Sequence, residues 1–441
     1  MTQEASTMRL GAMGLSHAVP CPQGWKNHRL RFLTRINKPA KIDLPPATEV
    51  SFVPMAAIGE NGGIQLDQVK PLDEIGDSYT PFVDGDVVVA KITPCFENGK
   101  GALAEGLENG VAFGTTELHV VQAGEQIDRR FLFYLSISEL FRDLGEGAMY
   151  GAGGQKRIPD RFIKDFRAPV PPLHTQEKIV NFLDRKTAEI DTLVEKKRRL
   201  LDLLAEKRTA LITRAVTKGL APNASMKDSR IKWLGEIPDH WGTEIPIKYL
   251  VKMTGGMTPS TNNPLYWDGE TPWVSPKDMK RPELFDAEDH VTDLALKETA
   301  LNLIEEGSVL MVVRGMILAH SFPVAINRVP VVLNQDMKAL KPREELLPEY
   351  LSFLLDSITD YILTLVETSA HGTKALRTDQ WKELAIALPP IDEQESIAEQ
   401  ITQSLAELDA LDRATKETVK KLEEYRSALI TSAVTGQIKV T

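Results

Sequence analysis

Residues 171–217 read PPLHTQEKIVNFLDRKTAEIDTLVEKKRRLLDLLAEKRTALITRAVT, and residues 389–435 read PPIDEQESIAEQITQSLAELDALDRATKETVKKLEEYRSALITSAVT. The two stretches align without a gap at an offset of 218, and 19 of their 47 positions are identical. A period of this length indicates a duplicated domain, because solenoid repeats run about 20 to 50 residues. We therefore expect two equivalent halves.

Each repeated stretch is predicted to form one long helix that begins after its Pro-Pro pair, since prolines are tolerated at a helix start. Apolar residues recur at a spacing of about 3.5, which is typical of a coiled-coil seam. The predicted seam residues are Ile179, Leu183, Ile190, Leu193, Leu200, Leu204 and Leu211, then Ile397, Ile401, Leu408, Leu411, Leu422, Tyr425 and Leu429. Polar residues interrupt the two seams differently, which favours pairing between the two helices over self-association. These residues are Lys186, Lys197, Lys207, Ser404, Thr415 and Thr418.

A region that differs between the halves precedes each helix. Short β-rich runs at 86–90 and 308–313 indicate strands, and helices are predicted near 129–144 and 348–366. This order predicts two α+β domains, each ending in its own long helix. The predicted boundaries are 1–170 and 221–388 for the domains, and 171–220 and 389–441 for the helical segments.

The charge balance argues against a protein that coats nucleic acid through bulk positive charge. The 52 Lys and Arg against 62 Asp and Glu give a formal charge of −10. Residues 173–220 are the only basic segment, with 11 basic and 7 acidic residues. Their densest run, 196–199, is compatible with a solvated helix face or with contact to phosphate or a partner.

Neither a metal module nor a membrane span is predicted. The two cysteines, Cys21 and Cys95, form no CxxC pair, so no zinc module or disulfide framework is indicated. No apolar run approaches the roughly 20 residues that cross a bilayer, and the opening residues are too weakly apolar for a signal segment. We expect a cytoplasmic protein.

Two glycine-bearing loops are candidate contact sites. Residues 151–157 read GAGGQKR, and residues 371–377 read HGTKALR, in which Lys374 matches Lys156 at the offset of 218. Glycine allows close approach of the backbone to a phosphate, and Lys, Arg and Gln can bond phosphate oxygens or base edges. On composition alone, an ordinary surface loop is the favoured interpretation of both stretches.

Catalytic signatures are incomplete. Residues 263–266, NPLY, are similar to the Asn-Pro-Pro-Tyr signature of amino-methyltransferases, but the second proline is absent. No glycine-rich turn after a strand could hold a methyl-donor cofactor, so no catalytic residue is predicted and an enzyme is disfavoured.

Taken together, these features resemble the DNA specificity subunit of type I restriction-modification systems, over nearly the whole chain. The most specific pieces are the duplicated helical segment and the run GGMTPSTNNPLYWDGETPWVSPKD at 255–278. In this family such a run opens a target recognition domain. The first variable region lacks it and departs from the pattern.

The resemblance implies an α+β fold, in which two α/β target recognition domains are separated by two long antiparallel helices that form a coiled coil with an internal quasi-twofold repeat. Each domain would read half of a bipartite DNA sequence, and the helices would set the gap. Two modification subunits would carry S-adenosylmethionine and methylate adenine, and restriction subunits would add ATP- and Mg-dependent translocation and cleavage. No cofactor is expected in this chain.

On this basis the candidate DNA-facing residues lie in the two glycine loops and after the predicted strands. Asn and Gln can pair with adenine and Arg with guanine in bidentate fashion. The candidates are Lys91, Thr93, Thr115, Thr116, Gln155, Lys156, Arg157, Arg314, Asn334, Gln335, His371, Lys374 and Arg377.

Two other functions stay open from the residues. A coiled-coil scaffold that binds only proteins agrees with the acidic net charge, and it predicts no sequence-dependent DNA binding even with a partner. A standalone DNA-modifying enzyme predicts methyl transfer by the chain alone. We expect weak DNA affinity of the unaided chain, because its positive charge is confined to local loops.

Overall fold

The structure is a computed structural model that describes residues 21–38, 40–76, 78–152, 154–231, 233–368 and 372–440. The chain divides into two units: one contains the residues up to Arg198 and from Glu417 onward, and the other is Arg199–Lys416. The two division points are 416 − 198 = 218 positions apart, which equals the offset of the sequence repeat. Each unit therefore contains one variable domain together with a segment of each long helix.

The first unit begins with an α+β domain whose last element leads into a long helix. Its strands are β1 Lys26–Arg29, β2 Thr34–Ile36, β3 Glu49–Val53, β4 Val69–Pro71, β5 Thr80–Val83, β6 Val87–Ala90, β7 Gly101–Leu103, β8 Val111–Gly114, β9 Leu118–Ala123 and β10 Arg167–Val170. Its helices are α1 Arg129–Ser136, α2 Glu139–Ala148, α3 Asp160–Asp165 and the long α4 Leu173–Lys218. Two four-stranded sheets have the orders β2-β9-β6-β7 and β4-β3-β8-β5, and β1 pairs with β10.

The second variable region has a related order of elements. Its strands are β11 Met226–Asp228, β12 Glu236–Pro238, β13 Gly242–Pro246, β14 Val251–Gly255, β15 Trp267–Val274, β16 Glu283–Leu284, β17 Asp289–Val291, β18 Val309–Val312, β19 Val324–Asn327, β20 Val332–Leu333, β21 Met337–Pro342, β22 Val366–Thr368, β23 Lys374–Leu376 and β24 Ala385–Leu388. Its helices are α5 Asp293–Glu298, α6 Pro348–Ser357, α7 Thr359–Thr364, α8 Thr378–Lys382 and the long α9 Ile391–Val434. The main sheet has the order β14-β21-β18-β19-β16, a second sheet has the order β17-β15-β20, and β13 pairs with β24.

The strands predicted at 86–90 and 308–313 are confirmed as β6 and β18. The single helices predicted near 129–144 and 348–366 are each two helices, α1 with α2 and α6 with α7. In the first domain α1 ends at Ser136, and Ser138 caps the start of α2, because its hydroxyl accepts a hydrogen bond from the Phe141 N–H at 3.3 Å. A serine cap therefore breaks the predicted helix.

Within each unit, segments of the two long helices pack together and share a core with the adjoining domain. In the first unit Leu183 and Ile430 join the core around Phe131. In the second unit Ile212 and Ile401 belong to the core of that domain. Burial of the apolar face of a long helix against a domain is the main source of its stability.

The predicted seam register is partly wrong. Leu193 and its repeat counterpart Leu411 are 47% and 46% exposed, and Tyr425 is also exposed. Val194 and Leu405 are buried instead. A straight α-helix has 3.6 residues per turn, so a strict 3.5 spacing drifts off the buried face along a long helix.

The polar interruptions also differ in their placement. Thr415 is buried in the seam as expected, whereas Lys207 lies exposed on the helix surface. The other four predicted interruptions, Lys186, Lys197, Ser404 and Thr418, are partly buried.

The repeat explains one ion pair in each unit that joins the two helices. Arg426 donates from Nε to Asp191 Oδ1 at 2.8 Å, and its side chain is only 8% exposed. Arg208 and Asp409, which are the same two repeat positions, pair at 2.5 Å in the second unit. In the first unit Arg198 also pairs with Glu423, so the numbering rises on one helix while it falls on the other. The helices are therefore antiparallel, as the resemblance implies.

A buried glutamine fastens the start of each long helix to its domain. Gln176 donates to the Pro171 and Gln126 carbonyls at 2.8 and 3.1 Å, and its side-chain oxygen accepts from the Asp128 N–H at 2.7 Å. Both Gln176 and its counterpart Gln394 are fully buried.

Gln394 makes the same three bonds in the second unit. It donates to the Pro389 carbonyl at 3.0 Å and the Glu345 carbonyl at 2.8 Å. Its oxygen accepts from the Leu347 N–H at 2.9 Å. We call each set the glutamine clamp. It accounts for the Gln of the duplicated PPxxxQE sequence, because a buried glutamine side chain must have its polar groups bonded and here bonds three backbone groups.

In the part of the chain that the structure describes, no helix combines the length and the apolar character needed to cross a membrane.

Candidate nucleic-acid interface

Three chain segments that are far apart in sequence meet at one edge of the first domain. The Lys91 N–H donates to the Glu117 carbonyl at 3.0 Å, and the Lys91 carbonyl accepts from the Ile158 N–H at 2.9 Å. The Thr93 N–H donates to the Lys156 carbonyl at 2.9 Å. We define the first loop junction as residues 91–93, 115–117 and 156–158.

The second domain repeats this junction bond for bond. The Val313 N–H donates to the Asp336 carbonyl at 2.8 Å, and the Val313 carbonyl accepts from the Leu376 N–H at 2.9 Å. The Gly315 N–H donates to the Lys374 carbonyl at 3.0 Å. We define the second loop junction as residues 313–315, 334–336 and 374–376. Lys156 and Lys374 are equivalent at the offset of 218.

A hairpin supplies one segment of each junction. In the first domain, Tyr150 and Arg157 exchange two backbone hydrogen bonds of 3.1 and 2.9 Å around the glycine-bearing tip. In the second domain, β22 and β23 pair antiparallel with Thr368 opposite Lys374. In the first predicted loop Arg157 thus belongs to one hairpin, and in the second Lys374–Leu376 form strand β23 of the equivalent hairpin. His371, a predicted site residue, lies outside the described residues.

Arg157 is held rigidly by a carboxylate that the sequence analysis did not single out. Its Nε and Nη2 donate side-on to the two Glu117 oxygens at 2.9 and 2.8 Å. This hydrogen-bonded contact lowers the pKa of Glu117 and raises the pKa of Arg157, so both stay charged near neutral pH. The Nη1 group has no partner among the described residues and can bond a further acceptor. Glu117 follows two candidate threonines directly, which was the one available signal.

The other basic candidates of the first junction have free donors. Lys156 and Gln155 are exposed and Lys91 is half-buried, and none of the three side chains makes a hydrogen bond or salt bridge to a described residue. The charge of Lys91 acts on Glu117 and helps to lower its pKa. An unpaired ammonium at a loop edge is suited to a phosphate contact.

The threonine candidates are mostly engaged in local structure. The Thr93 hydroxyl donates to Glu97 at 2.9 Å, and the Thr115 hydroxyl accepts from the Glu117 N–H at 3.2 Å. Thr116 is exposed. Of the three, Thr116 is the one best placed to meet a ligand from solvent.

Three basic candidates lie in or beside the second junction and differ in their side-chain contacts. Arg314 is exposed and makes no side-chain bond to a described residue. Arg377 lies just outside the junction and is bonded to Asp379 and Glu367 at 2.6 to 3.0 Å. That contact lowers the pKa of Asp379 to about 2. Lys374 donates to the Thr368 hydroxyl at 2.8 Å.

Asn334 and Gln335 lie in the turn before β21. The Asn334 side-chain oxygen accepts from the Asp336 N–H at 3.0 Å, and the residue is buried. The Gln335 oxygen accepts from the Thr258 hydroxyl. The amide nitrogen of each side chain therefore stays available, and Gln335 is the more accessible of the two.

The sequence run that opens at residue 255 packs directly on the second junction. The Met257 N–H donates to the Leu333 carbonyl at 2.8 Å, and a Cβ on Gly256 would lie 2.2 Å from the Asn334 carbonyl oxygen. A glycine is thus required for this close approach. Asn263, from the methyltransferase-like string, accepts from the Leu265 N–H at 3.2 Å and caps a short helix.

The comparisons with known proteins agree with this duplicated arrangement. The family model described as "Type I restriction modification DNA specificity domain" matches residues 22–201 and 238–421. The type I restriction enzyme EcoAI specificity subunit of Escherichia coli is 41% identical over 162 residues, which cover 36% of this chain and 27% of that protein. The EcoR124I/EcoR124II specificity subunit of Escherichia coli is 32% identical over 286 residues, which cover 62% of this chain and 63% of that protein.

A solved structure described as "Structural basis underlying complex assembly and conformational transition of the type I R-M system" shares the fold. Its TM-score is 0.70 at 20% identity, over 95% of this chain and all of that chain. The matches to the two curated relatives span about a quarter and just under two thirds of their lengths. Since the family model matches most of both halves, this chain belongs to the type I restriction-modification DNA specificity family.

Proposed function

We propose that this chain is the specificity subunit of a type I restriction-modification complex, in which each domain reads one half of a bipartite, asymmetric DNA sequence. The observation that carries the proposal is the pair of loop junctions, which share one backbone scaffold and differ in their side chains. Two domains that share one backbone arrangement but present different side chains are suited to recognise two different half-sites.

The shared and the differing side chains divide by the kind of DNA contact they suit. Lys156 and Lys374 occupy the same position, and a lysine is a flexible point charge suited to phosphate, which carries no sequence information. Arg157 has no counterpart arginine, because its equivalent is Ala375, and Arg314 replaces Ile92. We assign phosphate contact to the lysines and base reading to the two arginines, each suited to guanine.

The remaining candidates support these contacts. Thr116, Gln155 and Gln335 are accessible enough for polar contact with DNA, and Lys91 adds positive potential at the first junction. Thr93, Thr115, Asn334 and Arg377 are held by their own neighbours and shape the surface. His371 stays a prediction.

The proposal includes the partners and the location of the complex. Two modification subunits bind S-adenosylmethionine and methylate adenine, and restriction subunits bind ATP and Mg for translocation and cleavage. The paired long helices set the gap between half-sites. The complex acts in the cytoplasm, where its DNA lies.

Binding of the assembled complex to a duplex that carries its site, measured over a range of salt, tests the assignment. Lys374→Ala should weaken binding to all sequences and reduce the salt slope by about 1, whereas Arg314→Ala should relax discrimination at one base pair by about 1–3 kcal/mol. The control is Lys297→Ala, since this lysine of α5 is exposed and makes no hydrogen bond or salt bridge to a described residue. Unchanged affinity and specificity in both test variants would refute the assignment.

Methyl transfer by the chain alone would instead identify a standalone enzyme. An assembled complex without any sequence preference for DNA would favour the protein-binding scaffold.

A further inference from the structure

A second surface is duplicated in the two domains, at the opposite end of the sheet from the loop junction. In the first domain Phe32 ends a short 3-10 helix after β1 and is 73% exposed. In the second domain Tyr249 ends the equivalent 3-10 helix after β13 and is 62% exposed. A single exposed aromatic side chain needs no explanation, but two at equivalent positions of diverged domains do.

The backbone confirms that the two positions are equivalent. The Leu30 N–H donates to the Phe166 carbonyl at 3.0 Å, and the Ile247 N–H donates to the Leu384 carbonyl at 2.9 Å. Each aromatic residue lies two positions after these donors.

Charged residues flank the two aromatic side chains in the same order. Arg31 pairs with Asp165 beside Phe32. Its counterpart Lys248 pairs with Glu383 at 2.6 Å and lies 5.0 Å from the centre of the Tyr249 ring.

One further cation follows in each domain. Arg35 and Lys252 are exposed, and neither has a side-chain partner in the described part of the chain. We name each set the aromatic patch. The first patch comprises Arg31, Phe32, Arg35 and Asp165, and the second comprises Lys248, Tyr249, Lys252 and Glu383.

The patches lie away from the loop junctions. Thr34 pairs with Ala123 at the end of β9, whereas Glu117 of the first junction precedes the start of β9. Six residues of strand separate the two ends by about 17 Å. The second domain has the same arrangement, with Val251 opposite Pro342 at the end of β21. In each domain the patch and the junction therefore lie at opposite ends of one strand.

The chemistry of the patch fits a protein interface. An exposed aromatic centre with charged groups at its rim is typical of such an interface, and the carboxylate at the rim is already paired with Arg31 or Lys248. In the first domain Phe32 and Arg35 also line an open groove of 610 Å³. The unpaired cation of each patch is complementary to an acidic group of the partner.

The patches are alike where the loop junctions differ. The loop junctions differ because each is proposed to read a different half-site. The aromatic patches are equivalent in the two domains, which is expected if each patch binds one copy of the same molecule. We infer that the two aromatic patches are docking surfaces for two copies of one protein, the methyltransferase subunit of the proposed complex. Each copy buries one aromatic side chain and places an acidic group against Arg35 or Lys252. This inference rests on the proposed function for the identity of the partner.

Binding of the modification subunit to the full-length chain without DNA tests the inference, with native mass spectrometry for the copy number and titration for affinity. Phe32→Ala or Tyr249→Ala should each leave one tightly bound copy, and the double variant should bind at least tenfold more weakly at both sites. Leu265→Ala is the matched control, since this side chain is 66% exposed in the second domain outside the patch.

A charge-reversal variant distinguishes loss of the docking surface from misfolding. Arg35→Glu with Lys252→Glu alters only exposed side chains without partners, so the fold should persist by circular dichroism while binding weakens at least tenfold. Wild-type affinity and copy number in both double variants would overturn the inference.

Two other outcomes would also overturn it. If the patch variants lose DNA binding but bind the modification subunit fully, the patches bind DNA. If the variants change the self-association of the isolated chain, the patches bind a second copy of this chain. The proposed function has a separate point of failure, since it requires sequence-dependent DNA binding by the wild-type complex.

Discussion

Removal of the glutamine clamp of the second unit should destabilise that unit strongly. Gln394→Ala deletes three hydrogen bonds, to the Pro389 and Glu345 carbonyls and from the Leu347 N–H, all made by a fully buried side chain. At a net contribution of about 1 kcal/mol for each bond, the loss is about 3 kcal/mol. Pro389 is buried and Leu347 is half-buried, so water compensates only in part for the lost bonds.

The matched control is Gln400→Ala on the same helix. Gln400 is exposed and bonds only Ser404 at 3.2 Å, so its replacement should cost less than about 0.5 kcal/mol. Both variants gain the same helix propensity, which therefore cancels in the comparison.

Denaturant unfolding and amide hydrogen exchange measure the effect. Exchange of the Leu347 N–H should accelerate on the order of 100-fold in Gln394→Ala, because its acceptor is gone and local opening is easier. Equal stability of Gln394→Ala and Gln400→Ala, or unchanged exchange at Leu347, would refute the clamp.

Three further perturbations have defined outcomes. Asp191→Ala leaves the buried Arg426 guanidinium unpaired and should lower the free energy of unfolding by about 3 kcal/mol in thermal unfolding. Asp409→Ala removes an exposed ion pair and should cost less than about 1 kcal/mol, so equal losses in the two variants would contradict this reasoning. Glu117→Gln frees Arg157, which Glu117 orients, so competition binding should show a relaxed preference at one base pair without weaker overall affinity for DNA. A uniform loss of affinity would mean that the ion pair is purely structural. Burial is the main cause that lowers the pKa of His119 below its usual 6.5, so the unfolded chain takes up the proton first as the pH drops. The free energy of unfolding should therefore fall below about pH 6.5, and an equally steep fall in His119→Gln would exclude this histidine as the source.

The duplicated architecture could be predicted from the sequence because its signal is a long ungapped identity. The division of the structure at Arg198 and Lys416 reproduces the offset of 218 found in 171–217 and 389–435. The domain boundaries proposed at the helix starts remain predictions. Identities such as Gln176 and its counterpart now have a physical reason in the clamp.

The seam register was harder to predict because two leucine-rich faces compete in each helix. Leu193 fits a 3.5 spacing, yet Val194 is buried and Leu193 is not. The choice depends on what the domain presents to the helix, which local spacing does not encode. The buried position of Arg426 was also missed, because an arginine is expected on the surface unless a partner such as Asp191 is placed by the fold.

The convergence of the loop junction depends on pairing between distant segments. Lys91, Glu117 and Lys156 lie 26 and 39 positions apart, and only the sheet brings their backbones within hydrogen-bond distance. The sequence offered the lysines as candidates by composition. Its only signal for Glu117 was the position directly after two candidate threonines, and the importance of Glu117 lies in its contact with Arg157.

Long-read methylome sequencing of cells that carry this chain with its modification subunit tests the central claim most directly. The account predicts adenine methylation at a bipartite motif with a fixed gap, and Arg314→Ala should alter one half of that motif while the other half stays unchanged. Methylation at a continuous motif, or a change in both halves on this single substitution, would contradict the assignment of one half-site to each domain.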